Sequence, residues 1–78
     1  KRIGRDRFVR NVLIAIGNSQ DGALAKCAEE LLTDDSPLVR AMAVWALKRL
    51  LPQPEFSAIA NRQAVSENDP AVAMEWQL

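Results

Sequence analysis

The chain has 78 residues, 49% apolar and 26% charged, enough for one small domain over residues 1–78 with a single core. Ten cations balance ten anions, histidine is absent and Cys27 is the one cysteine. That excludes an internal disulfide, a Ser-His or Cys-His catalytic pair, and a zinc or iron–sulfur site built from this chain alone.

The charge is unevenly spread. Lys1, Arg2, Arg5, Arg7 and Arg10 face only Asp6 in the first ten residues, and the remainder is net acidic. A basic end of this kind either steers a polyanion or keeps the domain soluble. The unpaired cysteine fits a reducing, cytoplasmic setting. No run approaches the ~20 apolar residues of a membrane span. The chain opens on Lys1 rather than methionine, which is read as a piece of a longer protein.

Helical spacing explains the chain better than strand alternation. The first helix is expected over 5–16, with Phe8, Val9, Val12, Ala15 and Ile16 on its core face and Arg7, Arg10 and Ile14 opposite. Gly17 falls where a C-terminal cap would stop it. A second helix is expected over 22–32 with Asp21 as N-cap. Its apolar stripe holds Leu24, Cys27, Ala28, Leu31 and Leu32, so Cys27 is expected to be buried and inert.

The third helix, 37–51, has the clearest pattern. Val39, Met42, Ala43, Ala46, Leu47 and Leu50 make one stripe, Ser36 or Asp35 caps the start, and Pro37 sits in the first turn. Trp45, at the stripe's edge, is expected to pack between neighbouring helices. Pro52 and Pro54 break the chain before a weaker helix over 55–66 carrying Phe56 and Ile59. Glu67-Asn-Asp-Pro70 then opens a short last helix through Val72 to Trp76. Short connectors at 17–21 and 33–36 suit helices packed antiparallel.

These helices repeat. Phe8, Val12, Ala15 and Ile16 superpose on Val39, Ala43, Ala46 and Leu47 at an offset of 31 residues, and Ser36-Pro-Leu-Val39 on Asp69-Pro-Ala-Val72 at 33. Helix pairs recurring every 30-odd residues indicate a short all-α solenoid of about five helices.

Asp35-Ser-Pro-Leu-Val-Arg-Ala-Met-Ala-Val-Trp-Ala-Leu47 resembles the second helix of HEAT-like (PBS-lyase-like) repeats. Joined to Arg10-Asn-Val-Leu-Ile-Ala-Ile-Gly-Asn-Ser19, it is similar to the C-terminal HEAT-like domain of epoxyqueuosine reductase, an oxidoreductase of queuosine synthesis in tRNA. The resemblance implies a non-catalytic tail that carries no cofactor itself. The parent would hold 4Fe-4S clusters and cobalamin in an upstream catalytic domain.

By the same resemblance the partner is a tRNA anticodon stem-loop, with no DNA or membrane role. The residues implied at that contact are Arg7, Arg10, Asn11, Asn18 and Arg40. For Arg40 two readings stand: an RNA contact, or a pair with a carboxylate such as Asp34 or Asp35 that holds adjacent units together. Ala73 occupies the corresponding place in the third unit, so an arginine ladder would stop there. The alternative function is a protein-interaction scaffold with no RNA role.

Overall fold

The computed structural model describes residues 2–77, and every regular element among them is helical. In chain order they are α1 (Arg2–Asn18), α2 (Ala25–Glu30), α3 (Pro37–Leu50), α4 (Gln53–Gln63) and α5 (Pro70–Gln77). Single 3-10 turns precede α2 at Gly22–Leu24, follow it at Leu31–Thr33 and follow α4 at Ala64–Ser66. The expected second helix is therefore one short α-helix tightened at both ends, as helix ends commonly are.

α3 is the hub. It packs along α1 on one side and α5 on the other, and α2 and α4 also lie against it. Contacts at both ends show that α1, α3 and α5 run parallel. Arg5 near the start of α1 meets Asp34 just before α3, whereas Gly17 near its end meets Trp45 and Arg49 late in α3. Arg40 meets Glu67 just before α5, and Lys48 meets Glu75 near its end. Parallel helices joined by returning ones are what a solenoid requires, and the chain is a short solenoid of this kind.

The core follows from this stacking. Val39, Ala43, Val44, Ala46 and Leu47 of α3 are fully buried, joined by Leu13, Ala28 and Leu32, and by Phe56, Ile59, Val72 and Trp76 from the last two helices. The Phe56 and Trp76 rings lie 5.6 Å apart, a stabilising aromatic contact between α4 and α5.

Start signals act as the sequence suggests. Ser36 Oγ accepts the Val39 N–H at 3.4 Å ahead of Pro37, and the Asp69 carboxylate accepts from Ala71 and Val72 ahead of Pro70. Asp21 accepts the Ala23 N–H in the same way. Because Ser36 is itself buried, Ser36→Ala should lower stability by about 1 kcal/mol, measurable by urea unfolding. Pro52 and Pro54 do not delay α4 as expected. The helix begins at Gln53, with Pro54 in the first turn, where a missing N–H costs nothing.

Three expectations need correction. Gly17 does not cap α1: it is a buried residue inside the helix, which runs on to Asn18. The chain turns instead at Ser19, whose N–H and Oγ both donate to the Ile16 carbonyl, and at Gln20, whose φ is 59°. The core face of α1 is rotated from the one expected. Leu13 and Ile16 are buried and Val9 and Ile14 half-buried, while Phe8, Val12 and Ala15 face solvent. α1 has α3 along one flank, so only the residues turned toward α3 are covered. Cys27 is exposed, because α2 turns the small side chains Ala25 and Ala28 into the core instead.

Candidate binding surface

Ionic contacts tie each unit to the next. The Arg5 guanidinium reaches both Asp34 carboxylate oxygens, at 3.0 and 2.6 Å. One unit later Arg40 reaches both Glu67 oxygens, each at 3.0 Å. Each carboxylate also accepts a backbone N–H two residues on: Asp34 from Ser36 at 3.0 Å, and Glu67 from Asp69 at 2.9 Å. One group thus shapes the turn before a helix and clips it to the preceding helix. Bidentate geometry suits arginine's planar fork.

Arg40 is wholly engaged. Besides Glu67, its Nη1 donates to the carbonyls of Asp34 and Asp35 at 2.8 and 3.2 Å. The carboxylate that pairs with it is therefore Glu67, rather than Asp34 or Asp35. Burial pushes the Glu67 carboxyl up, but hydrogen bonds from Arg40 and the Asp69 N–H, with the Arg40 charge, hold it below its ordinary value. The Arg40 guanidinium is pushed up in turn, chiefly by its hydrogen bond to Glu67. A groove of about 340 Å³ opens beside this pair, lined by Asp34, Asp35, Arg40 and Glu67 over Val44 and Trp76.

At the opposite end of the layer Trp45 lies against Gly17. A Cβ built on Gly17 would stand 2.5 Å from Trp45 Cζ3, so this helix approach requires glycine. Arg49 stacks over the ring at 5.2 Å, and its Nε donates to the Gly17 carbonyl at 3.1 Å. Trp45 thus packs between neighbouring helices, as its place at the stripe's edge suggested.

The remaining candidate residues lie together on α1. Arg7, Asn11 and Asn18 recur at helical spacing along one exposed face. Arg10, half-buried beside it, donates to Asn11 Oδ1 at 3.2 Å. Arg7 makes no ion pair among the described residues. Arg40 stands apart from this face, one repeat away. The sequence reading missed Arg5, Glu67 and Arg49. A signal for the first two was present: Asp34 and Glu67 stand 33 residues apart, the same offset as Ser36-Pro and Asp69-Pro.

Among the described residues no group of three or more His, Cys, Asp or Glu is placed to hold a metal ion, and no helix is long and apolar enough to cross a membrane. The fold and its ionic ladder define the class, a helical-repeat domain. The HEAT repeat family model matches residues 24–53, from the turn before α2 into the start of α4, so the central unit is a HEAT-like repeat. No curated protein and no solved structure matches the chain.

Proposed function

We propose that this domain is the non-catalytic tail of an epoxyqueuosine reductase-like oxidoreductase, and that α1 helps hold the anticodon stem-loop of its substrate tRNA. The resemblance of residues 10–19 and 35–47 supports the parent. The single observation that supports the RNA contact is the exposed Arg7, in line with Asn11 and Asn18 and beside Arg10. Guanidinium forks match phosphate oxygens, and amides reach bases and 2′-hydroxyls. Arg40 leaves the binding set, because its donors are spent on Glu67 and two carbonyls.

The parent's 4Fe-4S clusters and cobalamin do not fit these residues: one exposed cysteine and no histidine make no ligand set. They belong to the upstream catalytic domain in this reading, and the tail's work is positioning.

The test is the salt dependence of binding to an anticodon stem-loop RNA. Replacing Arg7 and Arg10 by alanine should weaken binding and reduce the slope of log K against log salt by about 2, one for each lost phosphate contact. Replacing exposed Arg62, whose partner is Glu29 at 3.7 Å, should leave that slope unchanged. Binding with no salt dependence, or a slope indifferent to Arg7 and Arg10, would exclude the RNA role. A protein-interaction scaffold would then be the better reading, and the bare apolar face of α1 specifically favours it.

A further inference from the structure

Arg49 belongs to α3, yet its head group sits at the end of α1 that carries Asn18. Its Nε donates to the carbonyl of Gly17, the residue before Asn18, at 3.1 Å. Its guanidinium carbon lies 5.2 Å from the centre of the Trp45 ring. Neither contact exhausts the group. A guanidinium carries N–H donors on Nε and on both Nη atoms, and only the Nε donor is engaged. The two Nη groups have no partner among the described residues, and Arg49 as a whole is exposed. Arg5 and Arg40 differ, because each spends its fork on a carboxylate across a unit boundary. Arg49 is held at its base by a ring and a carbonyl and keeps its fork open.

We propose that Arg49 is a further phosphate contact for the stem-loop RNA, held ready by Trp45 and the Gly17 carbonyl. The inference rests on the reading of α1 as an RNA surface and extends that surface onto α3. Arg10 and Gly17 lie two turns apart on one side of α1, about 10 Å along its axis. A cation fixed at Gly17 therefore continues the line of Arg7 and Arg10 beyond the end of the helix. The open Nη pair suits two oxygens of one phosphate. Holding the long side chain in place beforehand lowers the rotamer entropy that binding would otherwise cost. Arg49 thus fills on α3 the role expected of Arg40, whose donors are spent.

A role confined to packing, tying α3 to the end of α1, predicts a different outcome, and salt separates the two. Binding of an anticodon stem-loop RNA is titrated over a range of salt at a temperature where urea unfolding shows every variant folded. Arg49→Gln should weaken binding about tenfold at low salt and reduce the slope of log K against log salt by about 1. Arg49→Lys keeps the charge without the fork, so it should restore the slope and recover part of the affinity. Arg49→Gln added to Arg7→Ala and Arg10→Ala should bring the total loss of slope to about 3.

A slope that falls with Arg7 and Arg10 but ignores Arg49→Gln would overturn this inference and leave the RNA reading standing. A slope indifferent to all three arginines, or binding without salt dependence, would overturn both. Affinity lost in Arg49→Gln at an unchanged slope, with no recovery in Arg49→Lys, would assign the residue to packing and also overturn the inference.

Discussion

Arg40→Ala should lower the stability of this domain by about 3 kcal/mol, because it leaves the Glu67 carboxylate, whose side chain is 7% exposed, without its counter-ion. A domain of this length holds only about 4–12 kcal/mol in total, so the variant would forfeit roughly a quarter to three quarters of its stability. Arg40→Lys should recover a minority of the loss, since a single ammonium cannot span two carboxylate oxygens and two carbonyls. Arg40→Ala combined with Glu67→Gln should be more stable than Arg40→Ala alone. The neutral amide still accepts the Asp69 N–H but leaves no charge stranded. Urea unfolding of the four proteins checks the order.

The same pair makes a pH signature. Glu67 is held below its ordinary value in the folded state, so its contribution is complete above the unfolded value and fades as pH falls through the folded one. The native domain should therefore lose stability on acidification. In Arg40→Ala the burial that pushes Glu67 up is no longer outweighed, and the carboxyl folds more readily protonated. The deficit of that variant relative to the native chain should then shrink between pH 7 and pH 4. A deficit that stays constant with pH would show that packing, not charge, dominates at Arg40.

Why α3 was legible in the sequence and α1 only partly so follows from their neighbours. α3 is covered by neighbours on several sides, so most of its apolar stripe was visible and Ser36-Pro37 marked its start, while Val44, outside the expected stripe, is also fully buried. α1 offers two stripes, Phe8–Val12–Ala15 and Val9–Leu13–Ile16, and periodicity alone favours neither. The choice falls to which side α3 occupies, a contact some 30 residues away in sequence. Cys27 was misplaced for a related reason. It differs from Ala25 and Ala28 by a single sulfur, too little to fix the rotation of so short a helix.

The binding residues divide similarly. Arg7, Asn11 and Asn18 share an exposed face because they share a helix, and helical spacing is visible in sequence. Arg5 and Arg40 look like the same kind of residue there, yet each finds its carboxylate across a unit boundary. Aligning turns rather than helices would have exposed that pairing. The 33-residue offset links Asp34 to Glu67 just as it links the two proline starts.

Gly17 carries the second large expectation, and its sign depends on Trp45. In a helix interior, glycine to alanine ordinarily gains about 1 kcal/mol. Here the new methyl would stand 2.5 Å from Trp45 Cζ3 and 3.1 Å from Cε3 and Cη2, and the ring also stacks with Arg49, itself tied to the Gly17 carbonyl. The ring must shift, loosening its stack with Arg49, or α1 must move off α3. Overpacking of this kind costs roughly 1–3 kcal/mol, so Gly17→Ala should destabilise the domain by up to about 2 kcal/mol net, and Gly17→Val by more. In a Trp45→Ala background the obstruction is gone, and adding Gly17→Ala should stabilise by up to about 1 kcal/mol. A double-mutant cycle read by thermal unfolding would therefore show Gly17→Ala changing sign with its partner. Loss in both backgrounds would mean that the glycine serves the backbone of α1 itself, through flexibility near the helix end, rather than the approach of α3.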